Sequence, residues 1–156
     1  FLREANDSQS VIDIFEKLYF ELRPDIFIDL FPVLLADNGS EFSNPKEIEY
    51  SHLTGEQRTK VFYCEPGRSD QKGSCEVNHE MIRRILEKKT SFDNLTQEDI
   101  NLMMSHINSY KRKKLNNSSA LEMFNLMYGN DIAVKLNILE ISSNDINLTP
   151  SLLKRN

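Results

Sequence analysis

The chain has 156 residues, 39% of them hydrophobic with nine Phe, and a formal net charge of −5, enough to bury one core of ordinary size. No apolar run approaches the ~20 residues that a membrane span needs, and no targeting segment is visible in these residues, so the expectation is a soluble, cytoplasmic globule. The acidic balance argues against a surface that coats nucleic acid throughout, and Cys64 and Cys75, without Cys or His partners at zinc-ligand spacing, read as free thiols.

In chain order, residues 8 to 22 form an amphipathic helix with Val11, Ile14, Phe15, Leu18, Tyr19 and Leu22 on one face. Ser8 or Ser10 is placed to cap it. Pro24 forces a break, and a short apolar helix follows to Phe31. Val33 to Ala36 is a continuous apolar run closed by Asp37-Asn38-Gly39, the pattern of a strand buried on both faces, as in a parallel sheet. Asn44-Pro45 opens a short helix, His52 to Gln57 is a polar loop, and Thr59 to Tyr63 is a second strand of β-branched and aromatic residues. A helix from Gly73 or Ser74 to about Lys88 sets Val77, Met81, Ile82, Ile85 and Leu86 against Glu76, Glu80, Arg83 and Glu87.

Thr96 with Asp99 has the spacing of a capping box, and the helix it opens carries Ile100, Met103, Met104 and Ile107 as a core stripe. Asn108 to Asn117 is a basic, polar connector that includes Lys111-Arg112-Lys113-Lys114. Ser119 with Glu122 opens the next helix, which Gly129 stops. Residues 131 to 139 are helical again, and Thr149-Pro150 starts a last short helix. The expected fold class is α/β with few strands over residues 1 to 90, followed by a mostly helical part over residues 91 to 156.

Two carboxylates have distinctive settings. Asp37 ends a strand, and Glu76 lies in the first turn of a helix, where the helix dipole favours its ionised form. Hard oxygen donors of this kind suit Mg²⁺ or Mn²⁺, and two such ions ~4 Å apart activate a water or a 3′-hydroxyl against a phosphodiester. The plainer reading stays open on spacing alone: Asp37 as a turn residue and Glu76 as a solvated helical residue paired with neighbouring cations.

Asp37-Asn38-Gly39-Ser40-Glu41-Phe42, Phe62-Tyr63-Cys64-Glu65-Pro66 and Gln71-Lys72-Gly73-Ser74-Cys75-Glu76-Val77-Asn78-His79, with Arg83 on the same helical face, resemble the catalytic core of DDE transposases. The likeness is to the IS-thirty-type insertion-sequence enzymes, relatives of retroviral integrases. Downstream, Asn108-Ser109-Tyr110-Lys111-Arg112-Lys113-Lys114-Leu115 is similar to that family's Leu-Asn-x-Arg-Pro-Arg-Lys segment, and Ser119-Ala120-Leu121-Glu122-Met123-Phe124 to its Thr-Pro-x-Glu-x-Phe. His79 stands where the family often has Asn, and Tyr110 and Ala120 where it has Pro.

The resemblance implies a partial RNase H-like fold. In it, Asp37 and Glu76 are the second and third members of an Asp-Asp-Glu triad that holds Mg²⁺ or Mn²⁺. The first Asp would precede Phe1, so the chain is expected to be N-terminally truncated. The implied function is part of a transposase or integrase core that cuts and joins bacterial DNA; the alternative is a catalytically inactive DNA-binding or dimerising fragment. Lys72, His79, Arg83, Lys111, Arg112, Lys113 and Lys114 are the expected DNA contacts. With few strands present, the edge beside Val33 to Ala36 is bare, which predicts self-association.

Overall fold

A computed structural model describes residues 1–65 and 73–154. The chain forms two compact units, one from Arg3 to Gln71 and one from Lys72 to Asn156. Among the described residues there are seven α-helices and four short strands, an α/β composition with little sheet.

The first unit opens with α1, Ser8–Glu21. Its cap is Asp7 rather than Ser8 or Ser10: the Asp7 carboxylate accepts the Ser10 N–H at 2.8 Å, while the Ser10 hydroxyl turns back to the Ala5 and Asp7 carbonyls. Pro24 starts α2, Pro24–Leu30, after Arg23 takes a φ of 74°. Phe27 is buried where the two helices meet, with edge-on contacts to Phe15 and Tyr19 at ring separations of 6.3 and 5.4 Å, a geometry aromatic quadrupoles favour. The buried side of α1 also departs from expectation, because Ile12 and Glu16 are buried whereas Ile14 is not fully so. Glu16 is admitted by its partner Arg58, whose guanidinium also donates to the Ile48 and Glu47 carbonyls at 2.9 Å; a buried charge is tolerated when it is paired and hydrogen-bonded.

Strand β1, Leu34–Ala36, pairs in parallel with β2, Val61–Tyr63, in the register Leu34 to Val61 and Ala36 to Tyr63. Between them runs α3, Pro45–Glu49. Leu34 and Val61 pack with Phe15 and Phe42 around Val11, Ile12 and Ile48. The other face differs from the expected strand buried on both sides: Leu35 is 47% and its cross-strand neighbour Phe62 is 53% exposed. Within this unit the helices cover one face of the pair, so alternate side chains of each strand point away from the core.

The second unit is built on α4, Gly73–Ile85, and α5, Gln97–Ser109. Met81, Ile85, Leu86, Met103 and Ile107 form its core, with Leu148, Leu152 and Leu153 of the final segment packed against it. Val77, expected on the apolar side of α4, is 38% exposed. The helix ends at Ile85 instead of continuing to Lys88, since a turn closed by the Thr90 N–H on the Glu87 carbonyl follows. The Thr96 and Asp99 capping box of α5 is fully formed.

The expected basic connector contains a small hairpin. Strand β3, Lys111–Arg112, pairs antiparallel with β4, Ser118–Ser119, around a 3-10 turn and two left-handed asparagines, Asn116 and Asn117 at φ 52° and 63°. Helix α6, Ala120–Tyr128, starts from the Ser119 and Glu122 capping box and stops at Gly129, whose φ of 85° suits a residue without Cβ. Helix α7, Asn130–Lys135, is shorter than expected, because Asn137 turns the chain at φ 54°. Pro150–Leu153 forms a 3-10 turn, and the Thr149 hydroxyl bonds the Asn147 side chain and the Ser151 hydroxyl, each at 2.8 Å, without capping a backbone N–H of the turn.

Candidate functional site

Asp37 follows directly on β1 and is exposed. The turn that carries it is fastened at both ends. The Cys64 N–H donates to the Ala36 carbonyl at 2.9 Å, extending the β1 ladder, and the Asn38 side chain donates to the Cys64 carbonyl at 3.3 Å. The Gly39 N–H reaches the Asp37 Oδ1 at 3.3 Å. A Cβ at Gly39 would clash with Glu41 Oε2 and meet Asp37 Oδ1 at 3.1 Å. Two carboxylates therefore flank this glycine, and a side chain there would displace the Glu41 carboxylate. Glu41 belongs to the same loop and was visible in the sequence only as the acid four residues after Asp37.

Glu76 lies in the first turn of α4, as expected, and is exposed. His79 and Arg83, three and seven residues on, share its side of the helix and are also exposed. Lys72 lies outside the described residues. Asp37 belongs to the first unit and Glu76 to the second. Both offer hard carboxylate oxygens, the donor type that Mg²⁺ and Mn²⁺ take. Among the described residues no group of three or more His, Cys, Asp or Glu side chains is placed to hold a metal ion, so the described donors match such an ion in type and fall short of it in number.

The basic hairpin divides into inward and outward charges. Arg112 turns inward, its Nη1 donating to Asn78 Oδ1 of α4 at 3.2 Å and its Nη2 to the Ile107 carbonyl of α5 at 3.5 Å. It thus ties the hairpin to the residue two places after Glu76. Lys111 pairs with Glu122 at 3.6 Å. The Ser119 backbone N–H, and the Lys111 ammonium with it, hold the Glu122 carboxyl below the usual carboxylate range. Lys113 and Lys114 are exposed and form no ion pair among the described residues. The role of Asn78 as an anchor for Arg112 was not legible in the sequence, because the pairing spans 34 residues.

Over 108 residues the chain is 31% identical to the InsI transposase of insertion sequence element IS30A from Escherichia coli, a match covering 69% of this chain and 25% of that protein. It is 31% identical over 90 residues to the transposase of IS1086 from Cupriavidus metallidurans, covering 58% of the chain and 25% of the relative. A putative integrase of Spiroplasma virus SpV1-R8A2 B matches at 31% over 91 residues, 58% of the chain and 27% of the relative. The match thus spans about a quarter of these curated relatives' length. No family model matches the chain, and no solved structure does.

Proposed function

Because the chain belongs to the family of insertion-sequence transposases of the IS30 type, we propose that it forms part of a catalytic core that cuts and joins DNA. Asp37 and Glu76 supply two of its acidic side chains. The observation that carries this reading is Asp37 at the end of a strand in a parallel pair, and Glu76 in the first turn of a helix, within a transposase-related chain. The same arrangement supports an RNase H-like reading of the fold. A divalent cation bound to these carboxylates would supply a Lewis acid for water or a 3′-hydroxyl attacking a phosphodiester. The chain's own residues hold the substrate: Lys111, Lys113, Lys114, Lys72, His79 and Arg83 contact DNA, with phosphate neutralisation setting position and salt dependence. Arg112 keeps the hairpin in register with α4.

Mn²⁺-dependent cleavage of duplex DNA by this chain should drop to background in Asp37→Asn and in Glu76→Gln; cleavage undiminished in either would refute the assignment. A second reading is DNA binding without cleavage, which the exposed cations Lys113 and Lys114 support by themselves. It predicts that the unaltered chain binds DNA and shows no Mn²⁺-dependent cleavage. We also propose that the outer edge of β1, which no other strand pairs among the described residues, drives self-association. Sedimentation at high concentration should then show a dimer or larger species, and a clean monomer would exclude it.

A further inference from the structure

The loop after α4 reads Glu87-Lys88-Lys89-Thr90-Ser91-Phe92, a large aromatic set among polar residues. Phe92 is 58% exposed. A single exposed apolar side chain is ordinary on a protein surface. Its surroundings here are not. Two hydrogen-bonded turns hold it in place, one closed from Thr90 N–H to the Glu87 carbonyl at 3.1 Å and one from Leu95 N–H to the Phe92 carbonyl at 3.0 Å. Between them the Ser91 hydroxyl bonds Asp93 at 2.6 Å. Leu86 and Leu95, on either side, are anchored in the core of the unit. The backbone that carries the exposed ring is thus held on both flanks.

Phe92 forms one wall of an open cleft of about 500 Å³ whose other lining includes His79, Arg83, Glu87, Lys88 and Lys89. That volume lies in the ~300–1,000 Å³ range of sites for small molecules. Arg83, Lys88 and Lys89 form no ion pair among the described residues, and all three are exposed. Glu87 is the one acid in the lining, so the cleft carries a net positive charge at neutral pH. Lys89 holds a φ of 73°, a region that residues with a Cβ rarely occupy. Backbone strain of this sort persists where the surrounding structure fixes it, and it gathers at ligand sites.

Cations without an ion pair among the described residues, beside an exposed aromatic face, make the combination that binds a nucleic-acid strand without base pairing: phosphates on the cations, a base on the ring. A base inside an intact duplex has its faces covered by its neighbours and cannot use such a ring. We propose that this cleft takes an unpaired nucleotide of a DNA strand, with its base stacked on Phe92 and its flanking phosphates on Arg83, Lys88 and Lys89. The assignment rests on the reading of the chain as acting on DNA, and it adds to that reading a preference for frayed or single-stranded ends.

The test compares binding of a labelled duplex carrying a 3′ thymidine overhang with binding of the same duplex blunt-ended. The unaltered chain should prefer the overhang. Phe92→Ala should weaken overhang binding by at least about fivefold and leave blunt binding unchanged, while Phe92→Trp should restore the preference. Replacing Lys88 and Lys89 together by Gln should weaken both probes and flatten the salt dependence of log affinity by about 1.5–2. Equal binding of the two probes by the unaltered chain, an unchanged overhang affinity in Phe92→Ala, or a loss in that variant shared by both probes would each overturn the proposal. Cleavage in Mn²⁺, and its loss in Asp37→Asn, is read on the same probes. Failure of the catalytic assignment therefore registers separately from failure of the cleft.

Discussion

At the scale of single residues, two buried polar groups are held by partners distant in sequence. Arg58 is 0% exposed at its side chain and meets Glu16, which also accepts from the Ser51 hydroxyl at 2.6 Å. Removing one partner of such a pair leaves the other charge buried and uncompensated, so Glu16→Ala should cost about 3–5 kcal/mol in chemical denaturation. Replacing Glu16 and Arg58 together by apolar residues should recover much of that loss, which a double-mutant cycle would reveal. His106 is the second. It is buried on α5 and accepts the Asn147 N–H through Nδ1 at 3.1 Å, with Asp145 opposing in part the burial that lowers its pKa. The unfolded chain, with its His near 6.5, takes up the proton first, so stability should fall as pH drops below that value. His106→Gln should flatten this dependence in denaturant titrations at pH 5 to 7; an unchanged pH slope would show that another group sets it.

At the scale of elements, local chemistry determines where helices begin better than where they end. The capping boxes at Thr96 and Ser119 were legible because all their parts lie within four residues, and both formed. Ser119→Ala removes the acceptor of the Glu122 N–H at 3.0 Å and should cost about 0.5–2 kcal/mol, read as a lower denaturation midpoint. The ends were less legible. Helices α4 and α7 stop short of their apolar patterns because left-handed residues, Lys89 and Asn137, divert the chain soon after, and neither is a glycine that would have signalled it. The hairpin at residues 111–119 escaped notice because two-residue strands have no periodicity to read.

At the scale of the whole molecule, a chain of net charge −5 engages a polyanion only through local concentrations of cations. Replacing Lys113 and Lys114 by Gln should weaken binding to any duplex alike and reduce the salt slope by about two. Sequence-dependent loss would mean that they read bases instead. The α/β class, most elements, the strand-end Asp37 and the first-turn Glu76 follow from the sequence alone, because period, caps and turn residues act over a few neighbours. Tertiary structure alone decided that β1 and β2 are covered on one face and that Glu16 goes inward to meet Arg58. It also turned Arg112 toward Asn78 while Lys113 and Lys114 face water, and it held Phe92 at the mouth of a cationic cleft. Except for the cleft, whose lining falls within residues 79–92, each of these depends on groups distant in sequence meeting in space, and burial and charge pairing are energies of such meetings, which no local pattern encodes.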